Sequence, residues 1–139
     1  MTRCIVLLCY VFAMSLVGVA QTEPVLTSAR VPKYPALACQ ARVEGTVKLT
    51  FTLPANGTEP VNVEVVSGHP MLKGEAIENV KTWRFDNPYA VQHKYETTFK
   101  YQLSGLQVLG TKKLTVTFVD SFRYVEVLTD SPGTTVDAY

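Results

Sequence analysis

The sequence predicts an α+β domain: a small antiparallel β-sheet packed by two helices, with a C-terminal β-hairpin extension. Three observations carry this. Apolar and polar residues alternate through Val47–Leu53, Val61–Val65 and Tyr95–Leu103, the period of strands with one buried face. Between the second and third runs, Leu72, Ala76, Ile77, Val80 and Trp83 recur at offsets 0, 4, 5, 8 and 11, the stripe of a helix laid on a sheet. After the third run, Leu114–Val119 and Phe122–Leu128 alternate on either side of Asp120-Ser121 and read as the hairpin. The 139 residues are 47% hydrophobic and 18% charged, enough for one core and inconsistent with disorder over most of the length.

The elements follow in order. Gln21 to Lys33, with Pro24 and Pro32 and no helical period, is an extended arm. Tyr34-Pro35 opens a short helix through Ala41, in which Leu37 and Ala41 share one face with Ala38 beside them. Pro54-Ala55-Asn56-Gly57 turns the first strand into the second, since Asn-Gly tolerates positive φ at low cost. The same Asn56-Gly57-Thr58 matches a glycosylation acceptor, but a turn explains it without any partner. Ser67-Gly68-His69-Pro70 ends the second strand and starts the longer helix. On that helix Lys73, Glu75, Glu78, Asn79 and Lys81 are assigned to the wet side, and Gly74 marks a close backbone approach. The domain spans 34–105, the strand extension 106–129, and 130–139 is a flexible tail.

The first twenty residues are read separately. Arg3 precedes a charge-free run from Cys4 to Ala20 that ends in Gly18-Val19-Ala20, the pattern of a signal peptide cleaved before Gln21. The competing reading is an uncleaved membrane anchor. Cleavage also removes Cys4 and Cys9, leaving Cys39 alone on the buried side of the short helix and no intramolecular disulfide.

Charge and spacing exclude several chemistries. Thirteen Lys+Arg against twelve Asp+Glu, with no block of like charge, build no basic face for nucleic acid or anionic lipid. His69 and His93 lie too far apart for a local metal motif, and His69 is expected to cap or pack at its helix start. No nucleophile elbow or phosphate loop occurs, so neither catalysis, cofactor nor small-molecule substrate is expected. Trp83 sits on the apolar stripe and is assigned to the core.

The residues also carry a family likeness. Tyr34-Pro35-x-x-Ala38, Gly45-x-Val47-x-Leu49-x-Phe51-x-Leu53, Gly57, and the run from Val63 through Val66-Ser67-Gly68-His69-Pro70-x-Leu72, Ala76 and Val80 to Trp83-Arg84-Phe85 resemble the C-terminal domain of TonB-family proteins. The resemblance covers Tyr34 to about Leu103. It implies a periplasmic domain of Gram-negative bacteria that binds outer-membrane receptors by pairing with a short receptor segment as an added strand. The family's energy transducers carry an uncleaved anchor and a long Pro-rich spacer. Here the first segment looks cleavable, and the thirteen-residue arm reaches at most about 47 Å.

A strand edge pairs with a peptide through backbone groups, and its side chains tune specificity. The expected binding edge is the third strand, with Lys94, Glu96, Thr98, Lys100 and Gln102 on its polar face, unless Leu114–Leu128 covers it. Two function classes follow. One is an exported envelope protein-binding module whose partner is a TonB-dependent outer-membrane receptor or another envelope protein. The other is a structural or self-associating envelope domain, such as a homodimer, with closed edges. Energy transduction is a third, if the anchor stays.

Overall fold

A computed structural model of the chain describes residues 23–105 and 113–131. The expected signal peptide, and the tail beyond Ser131, lie outside the described residues. The elements are β1 (Val25–Ser28), α1 (Ala36–Gln40), β2 (Gly45–Leu53), β3 (Val61–Ser67), α2 (Pro70–Lys81), β4 (Arg84–Asp86), β5 (His93–Ser104), β6 (Leu114–Val119) and β7 (Tyr124–Asp130). Five of the strands form one sheet in the order β3-β2-β5-β7-β6, while β1 and β4 make a separate antiparallel pair.

The alternation read in the sequence sets the faces. Val47, Leu49, Phe51 and Leu53 of β2 and Phe99 and Tyr101 of β5 are fully buried beneath α2. Their neighbours Lys48, Lys94, Glu96 and Gln102 stay in water. The long β2–β5 ladder, from Gly45↔Tyr101 to Leu53↔His93, runs without a register shift. The Asn56-Gly57 turn forms as its dipeptide demands: Asn56 has φ of 52°, and a Cβ on Gly57 would lie 2.7 Å from Pro54.

The sheet is mixed. Each of β2, β3 and β5 pairs antiparallel with its neighbour in that group, and β6 pairs antiparallel with β7, but β7 runs parallel to β5. A strand returning directly from β5 would have to be antiparallel to it. Here β6 carries the chain back along the outside, so β7 slots between them in β5's own direction.

Helix α2 buries Leu72, Ala76 and Val80, with Trp83 just beyond its end. His69 caps it, its Nδ1 accepting from the Met71 N–H at 3.2 Å. Phe51 is the hub of the aromatic core, with Trp83, Phe85, Tyr95 and Phe122 all within 5.9 Å between ring centroids.

Four local expectations are corrected. Asn79, assigned to water, is completely buried: its Oδ1 accepts the Trp83 indole N–H at 2.9 Å and its Nδ2 donates to the Arg30 carbonyl at 2.8 Å. Glu75 likewise leaves the solvated face, accepting from Arg30 Nη2 at 2.8 Å and the Lys33 N–H at 3.0 Å. In both cases the N-terminal arm crosses α2 and needs polar partners there. On α1 the buried residues are Ala38 and Cys39, and Leu37 is 70% exposed. A helix of five residues is too short to complete a stripe, and its small side chains face inward. Gly74 marks no close approach, because a Cβ there would meet nothing within 4 Å.

Two stability measurements check this packing. Trp83→Ala empties a large aromatic site and orphans Asn79, and should cost about 3–5 kcal/mol in denaturant unfolding. Gly74→Ala should instead stabilise by about 0.5–1 kcal/mol, the helix-propensity gain in open space; an unchanged or lower midpoint would show that the position is constrained.

Candidate protein-binding sheet edges

Strand β5 carries the residues singled out for binding. Lys94, Glu96 and Gln102 are exposed and Thr98 and Lys100 half-buried, all on the face away from α2. That face is a lattice of ion pairs: Lys94 with Glu64 at 3.3 Å, Lys48 with Glu96 at 3.6 Å, and Lys100 with Glu126 at 3.9 Å. All three are solvent-exposed pairs, worth little stability individually. Lys100 and Gln102 also border a shallow depression with Glu44, Gly45 and Thr46.

The edge itself is mostly occupied. From Thr98 to Tyr101, β5 lies between β2 and β7, and from Gln102 to Ser104 it pairs with β7 alone. The Thr98 N–H donates to the Arg123 carbonyl at 2.9 Å, so by strand alternation the backbone groups of Lys94, Glu96, Lys100 and Gln102 point to the same side. Lys100 and Gln102 meet β7 there, whereas Lys94 and Glu96 precede its register, which begins at Thr98↔Tyr124. The covering hairpin foreseen as the exception is therefore the arrangement found along most of this strand.

What holds β7 in place is apolar. Phe122, Val125 and Val127 are at most 1% exposed, and the Thr97 hydroxyl donates to the Phe122 carbonyl at 2.6 Å. The alternation of Val125 and Val127 was visible in the sequence, whereas Phe122 reaches the core from the turn before β7. The parallel direction was not visible, because pairing direction leaves no trace in a strand's own pattern. Closing β5 moves the free edges outward. Among the described residues, β3 and β6 each have a strand on one side only.

At the core end of β5, Tyr101 packs edge-on against Tyr34 with ring centroids 5.5 Å apart. The Tyr34 hydroxyl donates to the Val43 carbonyl at 2.6 Å, while the buried Tyr101 hydroxyl has no partner among the described residues. Burial, then the Glu44 carboxylate and Cys39, push Tyr34 up to about 12. Burial, then Glu75 and Tyr34, raise Tyr101 as well, with Arg30 opposing. The described residues contain no group of three or more His, Cys, Asp or Glu able to hold a metal ion, and no helix among them is long and apolar enough to cross a membrane.

The fold is a helix-backed mixed sheet with strands β3 and β6 outermost among the described residues. Residues 30–103 match the family described as Gram-negative bacterial TonB protein C-terminal, and the chain belongs to that family. Protein TonB of Vibrio cholerae is 31% identical over 90 residues, covering 60% of this chain and 36% of that protein, so the chain spans about a third of its length. The solution NMR structure of the Pseudomonas aeruginosa TonB CTD is 22% identical with a TM-score of 0.48, covering 67% of this chain and 94% of that one. The β6–β7 hairpin lies beyond the family match.

The tyrosine pair yields a pH prediction. Both hydroxyls ionise later in the folded protein than in the unfolded chain, where tyrosine titrates near 10.0. Their contribution is complete below about pH 10; that of Tyr34 is lost as pH rises toward about 12, and that of Tyr101 declines over the same range and beyond it. Denaturant unfolding across that window should show falling stability, with a shallower fall in Tyr34→Phe; identical slopes would place Tyr34 in water.

Proposed function

We propose that this chain is an exported, non-catalytic protein-binding module of the Gram-negative periplasm. It engages an outer-membrane receptor or another envelope protein by β-strand addition along β5. The observation that carries this is β7. Residues beyond the family match supply a parallel neighbour to β5 from Thr98 to Ser104, which supports a reading in which a partner strand takes the place of β7. Thr98, Lys100 and Gln102 flank the added strand, Lys94 and Glu96 lie just ahead of it, and together they tune which sequences fit.

The resident strand sets the energetics. Burying Phe122, Val125 and Val127 at about 1.5–3 kcal/mol each holds the hairpin by about 5–9 kcal/mol. A partner strand with apolar residues at alternate positions recovers equivalent contacts, so binding is an exchange. It competes with a tethered hairpin at an effective concentration of roughly millimolar order. The same burial favours the second reading, a structural envelope domain whose hairpin never leaves. Energy transduction for outer-membrane transport is a third, conditional on an N-terminal anchor.

A reversible staple separates the first two. Gln102 and Leu128 are register partners across the β5–β7 pair, so Gln102→Cys with Leu128→Cys should form a disulfide that locks β7 in place. Two labelled probes serve: a peptide of residues 121–131, and a short periplasm-facing segment of an outer-membrane receptor. Exchange at β5 predicts binding to the reduced protein that disappears on oxidation. Equal binding in both states would move the site to another edge, and no binding in either would favour the structural domain. Export has its own check: the mass of protein taken from the native envelope should lack residues 1–20, whereas a full-length chain in the inner membrane would revive the transducer.

A further inference from the structure

We propose that the outer edge of β6, which has no strand beside it among the described residues, pairs with β6 of a second copy of this chain, antiparallel and centred on Val116, giving a two-fold dimer with one continuous sheet. The surface is distinct from the β5 edge and does not rest on the function proposed above.

The two outer edges of the sheet are built differently. β3 carries features that discourage pairing: two register shifts against β2, Asn62 at φ of 50°, and Glu64 in an ion pair with Lys94. β6 has none of these. Its register with β7 is unbroken from Leu114↔Thr129 to Val119↔Tyr124, and Leu-Thr-Val-Thr-Phe-Val contains no charge, proline or glycine. Leu114, Phe118 and Val119 are 42%, 37% and 44% exposed. A regular, uncharged, apolar edge of this kind is a template for another strand.

The chemistry of the edge selects a copy of itself. Lys113 precedes the strand and Asp120 follows it, so antiparallel pairing sets the positive end of one copy toward the negative end of the other. Parallel pairing would oppose like charges. Val116 and Phe118 sit opposite Val127 and Val125, both buried, so Leu114, Val116 and Phe118 share the core face and Thr115, Thr117 and Val119 the other. Residues directly opposed in an antiparallel pair lie on the same face. Centring on Val116 then opposes Val116 to its copy, Leu114 to Phe118, and Thr115 to Thr117. One face gains an all-apolar row and the other two Thr–Thr pairs, both favourable cross-strand combinations. Such an isologous contact closes at two copies and cannot propagate through the same edge. Six residues make a small interface, so the dimer is concentration-dependent.

Sedimentation velocity over a concentration series tests this on the protein itself. The expected result is a monomer–dimer equilibrium. Thr115→Lys with Thr117→Lys places like charges opposite each other twice and should weaken dimerisation by about tenfold. Thr115→Glu with Thr117→Lys makes both pairs attractive and should restore it. Both positions are exposed, and circular dichroism of each variant verifies the fold. Val116→Cys should cross-link to its copy under mild oxidation, while Thr115→Cys, opposed to Thr117, should not. A monomer at every concentration, or equal dimerisation of the two charge variants, would overturn the proposal. Dimerisation should also persist in the oxidised β5–β7 staple, so its loss is distinguishable from failure of strand exchange at β5.

Discussion

Enclosing Trp83 is the constraint around which the domain is arranged. The indole brings a large apolar surface and one N–H donor into a site with no water access, and an unpaired donor there would cost about as much as a lost hydrogen bond. Asn79, one helical turn earlier, meets that donor with its side-chain oxygen. Its amide nitrogen then needs an acceptor, and the Arg30 carbonyl provides it. A single tryptophan thus fixes the rotamer of a buried asparagine and pulls the N-terminal arm across α2. Glu75 completes the clasp through Arg30 and Lys33. The arm enters from β1, which pairs with β4 directly after Trp83.

The same ring organises the sheet. Trp83 stacks on Phe99 of β5 at 5.9 Å and meets Phe51 of β2 edge-on, so α2 is keyed to the two central strands. Phe122 enters this cluster from the turn before β7, within 5.1 Å of Phe85 and 5.6 Å of Tyr95. A strand added at the sheet's margin is thereby connected to its centre. The hairpin is integral to the core, and any partner that competes for β5 must match an aromatic and two valines as well as a row of backbone groups. Closing one edge creates another. With β5 covered, the outer strand is β6, whose apolar residues receive little cover from α2.

Most of the fold was legible because strand and helix periods differ and each run here is long enough to show its own. The β2 and β5 alternation, the α2 stripe and the Asn56-Gly57 turn all formed where their patterns lay. Asn79 and Glu75 depart from the polar-face expectation because a helical wheel separates apolar from polar positions without showing what crosses the polar side. Lys94, Glu96, Thr98, Lys100 and Gln102 lie on the solvent-facing side of β5, as their alternation required. Whether their strand is an edge or an inner strand depends on residues more than twenty positions away.

The sequence by itself determined the local periods, the turn chemistry, which faces are apolar and, through the run from Val63 to Phe85, the family. These are properties of neighbouring residues, set by side-chain size, polarity and backbone preference. Strand order, the parallel β5–β7 pairing and the identity of the free edges were decided only in three dimensions. Backbone hydrogen bonding is the same chemistry for every residue, so a strand's pattern says which face it buries but not which strand lies beside it. That choice was made by long-range packing, above all by the site among Phe51, Tyr95 and Phe85 that Phe122 fills.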